Sequence, residues 1–143
     1  VRYKGELVWF SVCSMGNPHV TIVTDDIESA PVKELGPFIE NHPAFPRRVN
    51  VGFIQPITEH EANVRVWERG AGETLACGTG ATAAAIITNY ALQHETTKYR
   101  ITVPGGELHV RFSHEPGTQT YTDIRLTGPA RRVFKGVFET DNF

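Results

Sequence analysis

From position 49 the chain alternates, with Val49, Val51 and Phe53 on one side and Asn50 and Gly52 between them. Val64 and Val66 repeat the pattern in "ANVRVWERG". A period of two predicts strands with one buried face. "GELVWFSV" and "HVTIVTD" are β-branched and aromatic runs separated by the turn-forming "CSMGNP", and they predict two more. The sharpest hairpin signal is "KYRITVPGGELHVRF", where two alternating runs meet at Pro104-Gly105-Gly106. "YTDIRLT" gives another strand, and after the Gly128-Pro129 break "ARRVFKGVFE" predicts a final one.

Two segments change period. "SAPVKELGPFIENHP" sets Val32, Leu35, Phe38 and Ile39 at helical spacing, with Ser29 as a candidate cap and Pro43 as a stop. Gly36-Pro37 inside it predicts a short or kinked helix. "TGATAAAIITNYALQH" is apolar almost all round, so its helix is expected to be buried on most sides. About eight strands and two helices predict an α+β fold, a curved, barrel-like mixed sheet wrapped around a central helix.

The chain has 143 residues, the size of one domain, and needs no disulfide or metal to hold a core. A formal charge of −2 gives no bias toward nucleic acid or anionic membrane. No apolar run approaches membrane-spanning length, and the N-terminus lacks a signal-peptide pattern. The first residue is Val1 and the chain opens directly in an apolar stretch, which suggests a piece of something longer. Cys13 and Cys77 are too few for a disulfide framework, consistent with a reducing, cytoplasmic setting. Cys13 ends an apolar strand and reads as a small core residue.

Cys77 has a different setting. It follows the polar, glycine-punctuated "ERGAGETLA" and opens the buried helix with "CGTG". A helix N-terminus presents unpaired N–H groups and the positive end of the macrodipole, which favour a thiolate and also cradle a carboxylate or phosphate. An accessible thiol at that terminus is therefore expected. Gly78 allows close backbone approach, and Thr79 adds a hydroxyl. Such a thiol serves as a nucleophile, a redox centre or an acid/base. Glu68-Arg69, where a strand meets the glycine loop, is either a solvated strand end or a recognition pair. An Arg fork grips a carboxylate, and a Glu accepts from an ammonium or exchanges a proton with a thiol. Of the histidines, His19 lies beside a turn in "MGNPH", and the rest show no metal-ligand spacing. A ligand bearing carboxylates and amines, such as an amino acid, fits these groups.

"ERGAGETLACGTGATAAA", with "MGNPH" and "FPRRVNVGF" upstream and "VPGGELHVRF" to "LTGPARRVFKGVFE" downstream, resembles the second half of diaminopimelate epimerases. The resemblance covers nearly the whole chain. It implies one half of a pseudo-symmetric fold, and an enzyme that needs no cofactor and no metal. The implied reaction interconverts LL- and meso-diaminopimelate for lysine and peptidoglycan synthesis, with two cysteines acting from opposite faces of the α-carbon. On this resemblance Cys77 is the second cysteine and Glu68 its proton-exchange partner. Arg69 is the ligand of the distal carboxylate, and Asn17 and Asn50 hold the distal amino-acid end. Gly78 and Thr79 are part of the carboxylate cradle, and His19 tunes the first cysteine.

The C-G-N-G loop that carries the first cysteine in that family has no counterpart here, and Cys13 does not occupy such a setting. Residues 1–127 are expected to form the C-terminal domain, and 128–143 a terminal strand returning to the N-terminal domain. The implied partners are diaminopimelate, that N-terminal domain and, in the full-length enzyme, a second copy. The chain by itself is expected to be inactive. Two alternatives stand: another cofactor-independent amino-acid racemase of the proline or hydroxyproline type, and a non-catalytic binding module.

Overall fold

The computed structural model describes residues 1–140. Its elements in order are β1 (Arg2–Tyr3), β2 (Glu6–Leu7), β3 (Ser11–Ser14), β4 (Pro18–Val23), α1 (Val32–Glu40), β5 (Asn50–Thr58) and β6 (Glu61–Glu68). They continue with β7 (Gly72–Thr74), α2 (Gly78–Leu92), β8 (Lys98–Val103), β9 (Gly106–His114) and β10 (Tyr121–Thr127). β1 and β2 form a separate ribbon. The main sheet runs β10-β9-β8-β6-β5-β4-β3, with β7 added beside β6.

The sheet is mixed because two connections cross over. β4 and β5 are parallel with α1 between them, and β6 and β8 are parallel with α2 between them. Parallel neighbours need a long return, and a helix supplies it. α1 packs with Val20, Ile22, Val49, Val51 and Phe53 on one face of the sheet. α2 packs with Ile54, Val64, Val66, Ile101 and Val110 on the other. Residues 50–54 of β5 are consequently buried on both faces. Every residue of α2 from Gly80 to Asn89 is buried, and the helix touches strands from β3 to β10. The sheet curls around it. The α+β architecture, a curved mixed sheet around a central helix, is as the pattern predicts.

Local differences have physical causes. "GELVWFSV" is not one strand: it breaks after Leu7, and Trp9 is 81% exposed. The left-handed turn at Lys4-Gly5 (φ 47° and 89°) pairs the first residues with β2 instead. β7 lies inside the expected glycine loop, where Gly70 and Gly72 take φ 78° and 85° and fold the chain back onto β6. Ser29 does not cap α1; Pro31 precedes the helix without a side-chain cap. Among the described residues regular structure ends at Thr127. Residues 128–140 take no strand, against expectation, and Val133 and Val137 lie exposed. A strand exists through its ladder, and the described ladders of the sheet stop at β10. Residues 141–143 of that expected strand lie outside the described residues.

Candidate active site

Four elements bring the predicted residues to one end of the sheet. The β3–β4 turn, opened by Gly16 at φ 88°, carries Asn17, and His19 follows on β4. The parallel register sets His19 beside Asn50 at the start of β5. Glu68 ends β6 and Arg69 enters the turn to β7. Cys77 is the N-cap of α2, with Gly78 as its first residue and Thr79 next.

A hydrogen-bonded chain links the turn to the thiol. His19 Nε2 lies 3.2 Å from Asn17 Oδ1, Asn17 Nδ2 donates to Thr79 Oγ1 at 3.2 Å, and Thr79 Oγ1 lies 3.7 Å from Cys77 Sγ. This arrangement sets the proton of His19. With its amide nitrogen given to Thr79, Asn17 offers His19 an acceptor, so the imidazole carries its proton on Nε2. Thr79 accepts from Asn17 and keeps both a hydrogen and a second lone pair, so in the contact with Cys77 either the hydroxyl or the thiol is the donor. His19 is 1% exposed. Burial pulls its pKa down to about 4, with smaller opposing influences from Glu68 (raising) and Arg69 (lowering). At neutral pH it is a neutral ring.

A second set of bonds shapes the β6–β7 turn. Arg69 N–H donates to Asn50 Oδ1 at 2.8 Å, Asn50 Nδ2 donates to Pro18 O at 3.2 Å, and Arg69 Nη1 donates to Arg47 O at 3.0 Å. Asn50 is buried and uses both ends of its amide to hold its neighbours. Arg69 is exposed with most of its guanidinium fork still available. Glu68 is half-buried and accepts from Thr74 Oγ1 at 2.5 Å.

Cys77 departs from expectation in one respect. It caps the helix as predicted, but its side chain is not accessible: the residue is 7% exposed. The sulfur accepts from Gly80 N–H at 3.3 Å, doing what a Ser or Asp oxygen does at other helix starts. That bond turns it toward Val66 and Ala81 in the core. A Cβ on Gly80 would stand 2.9 Å from Val66 Cγ2 and 3.1 Å from Sγ, so glycine there makes room for the thiol. Cys13, half-buried on β3 opposite His19, is pushed up to about 11 by burial, far from a reactive thiol.

Sequence reasoning missed Glu40. Its buried carboxylate receives Gly70 N–H at 2.8 Å and Arg48 Nη1 at 3.1 Å on Oε1, and Trp67 Nε1 at 2.7 Å on Oε2. It ties the end of α1 to the turn that carries Arg69. A glutamate ending an amphipathic helix gives no sign of this in sequence. Among the described residues no three His, Cys, Asp or Glu side chains converge as metal ligands, and no helix is long and apolar enough to cross a membrane.

A thiol capping a helix, tied to a neutral imidazole and flanked by an Arg–Glu pair, suits proton transfer beside a carboxylate. The diaminopimelate epimerase family model matches residues 11–133. The chain belongs to that family. Diaminopimelate epimerase of Pseudomonas entomophila is 51% identical over 136 residues, covering 95% of this chain and 47% of the relative. That of Cupriavidus taiwanensis is 48% identical over 136 residues, covering 95% and 45%. The chain thus spans a little under half the length of these epimerases. Among solved structures, a probable proline racemase from Agrobacterium radiobacter superposes with a TM-score of 0.54 at 17% identity, covering 87% of this chain and 46% of that one. The Bacillus anthracis phenazine biosynthesis protein of the PhzF family gives 0.50 at 17%, covering 76% and 36%. These two likenesses concern the fold alone.

Proposed function

We propose that this chain is the C-terminal domain (residues 1–127, with 128–143 reaching toward the other half) of a cytoplasmic diaminopimelate epimerase. In this reading it supplies one of two opposed thiols for interconversion of LL- and meso-diaminopimelate. The observation that carries the reading is the chain His19–Asn17–Thr79–Cys77, which ties the sulfur to a polar relay at the mouth of the α2 N-terminus.

Inversion of an α-carbon needs a base on one face and an acid on the other. The base takes the α-proton, the electron pair is held beside the α-carboxylate, and the opposite acid returns a proton. Cys77 is one of these groups. The N–H groups beginning at Gly78, with the Thr79 hydroxyl, receive the α-carboxylate. Substrate binding draws the sulfur from its Gly80 bond into the site, and Glu68, now on Thr74, exchanges a proton with it. The free part of the Arg69 fork binds the distal carboxylate bidentately, with Asn17 at the same end. Asn50 holds Arg69 in place, and His19 stays neutral and directs the relay. The other thiol comes from the remaining half of the protein, and two full-length copies form the working dimer. The 51% identity over 95% of this chain to a diaminopimelate epimerase supports this substrate over a proline-sized one.

The test joins this chain to the N-terminal half of the Pseudomonas entomophila relative and assays LL-to-meso conversion, with proline and hydroxyproline as comparison substrates. Conversion of diaminopimelate by the joined protein but not by the 143-residue chain is expected. Inversion of proline instead, or turnover by the chain alone, would refute the reading.

A further inference from the structure

The outer face of the β8–β9–β10 layer carries a row of cations. The registers set Lys98 opposite Arg111 and Arg111 opposite Arg125, so three like charges stand side by side on adjacent strands. Like charges directly opposite in a sheet repel. The chain's net charge is −2, so the row is not a sample of a generally basic surface.

Arg125 reaches the row through a β-bulge. The β9–β10 register slips by one residue between Thr122 and Arg125, with Asp123 held at φ 47°. Without the slip Ile124 would face Arg111 and Arg125 would turn to the other face; re-aiming a side chain is what bulges do. The same slip sets Leu126 opposite Val110 on the inner face, so one irregularity serves both faces. Compensation of the row is incomplete. Arg125 Nε meets Asp123 Oδ1 at 3.1 Å, and Arg100 in the next row is taken by Glu61 at 2.6 Å and Glu107 at 3.7 Å. Among the described residues neither Lys98 nor Arg111 has an ion-pair partner. A cleft of about 660 Å³ opens over the row, with His60, Arg100 and His109 along its sides.

We propose that this cleft binds a small polyvalent oxyanion, one carrying two or more phosphate or carboxylate groups. Strands repeat at about 4.8 Å, so an ion with one charged group bridges two of the cations, whereas a diphosphate or tricarboxylate engages all three. Arg111 and Arg125 offer planar forks, and Lys98 a point charge. The cleft volume is of metabolite scale. Glu61, Glu107 and Asp123 flank the row and would repel the backbone of an extended polyanion such as nucleic acid.

The test titrates pyrophosphate and, separately, citrate into the 143-residue chain by calorimetry in low salt at pH 7.5. Lys98→Gln and Arg111→Gln are the row variants, and Lys33→Gln, at an exposed position of α1, is the charge-matched control. Saturable binding is expected, weakened about tenfold by either row variant and unchanged by Lys33→Gln. Preference for pyrophosphate assigns a phosphate ligand, preference for citrate a carboxylate one, and parity a general oxyanion site; all three support the proposal. Melting provides an independent readout. In anion-free buffer Arg111→Gln melts higher, because it relieves the repulsion. Pyrophosphate at ten times the parent's Kd raises the parent's Tm by about 4 °C and that of Arg111→Gln by only about 1 °C. No saturable binding of either probe, equal weakening by Lys33→Gln, or a lower anion-free Tm for Arg111→Gln overturns it.

Discussion

Lowering the pH should unsettle this fold through His19 in a window set by one number. Burial holds its folded pKa at about 4 against an ordinary value of 6.5. Between those values the unfolded chain binds a proton that the folded chain refuses, so unfolding is favoured as pH falls. The stability contributed by the neutral ring is fully present above about pH 6.5 and is lost progressively toward pH 4. Each unit is worth about 1.36 kcal/mol, which gives roughly 3 kcal/mol. The span from pH 7.5 to 4.5 samples about 2 kcal/mol of it. Urea unfolding of the parent and of His19→Gln at pH 7.5, 6 and 4.5 isolates the term, because carboxylate titrations are common to both proteins. The parent's advantage over His19→Gln should shrink by about 2 kcal/mol across the series. Parallel stability curves would refute a buried neutral His19, and with it the proton placed on Nε2 facing Asn17.

Three further substitutions test the packing and the site. Gly36→Ala lies inside α1, where alanine ordinarily adds about 1 kcal/mol. Here the new Cβ would stand 2.6 Å from Trp67 Cγ, and Trp67 is pinned by Glu40, so the sign inverts to a loss of about 2 kcal/mol in urea unfolding. Gly80→Ala presses on Val66 and the sulfur; in the joined protein it should cut kcat for diaminopimelate at least tenfold, whereas an unchanged kcat would separate the Gly80 contact from catalysis. Arg69→Lys keeps the charge and loses the fork, so kcat/KM for diaminopimelate should fall about a hundredfold, and unaltered kinetics would remove Arg69 from substrate recognition.

The β5–β6 alternation and the all-apolar α2 were legible because burial on a regular element imposes a period on the sequence. The curled sheet followed from them, since an all-round apolar helix must be enclosed. What escaped depended on partners distant in sequence. Glycine turns concealed β7, because Gly-Glu-Thr acquires strand geometry only against β6. Residues 130–139 read as a strand in sequence, yet no described strand of the sheet extends into them. At the site, the grouping of Asn17, His19, Asn50, Glu68, Arg69 and Cys77 was legible through motif order. The burial of the thiol was not, because the Gly80 bond that turns it inward is made by backbone. Glu40 was invisible for a similar reason: its three donors come from separate segments.

The proposed role of Cys77 as one of two opposed acid/base groups is tested most directly by LL-to-meso conversion in this chain joined to a relative's N-terminal half, comparing Cys77 with Cys77→Ala. Loss of conversion by about a thousandfold or more is expected, in line with removal of a general acid/base, while the variant still folds and binds diaminopimelate. Conversion at the parent's rate with alanine at position 77 would contradict it.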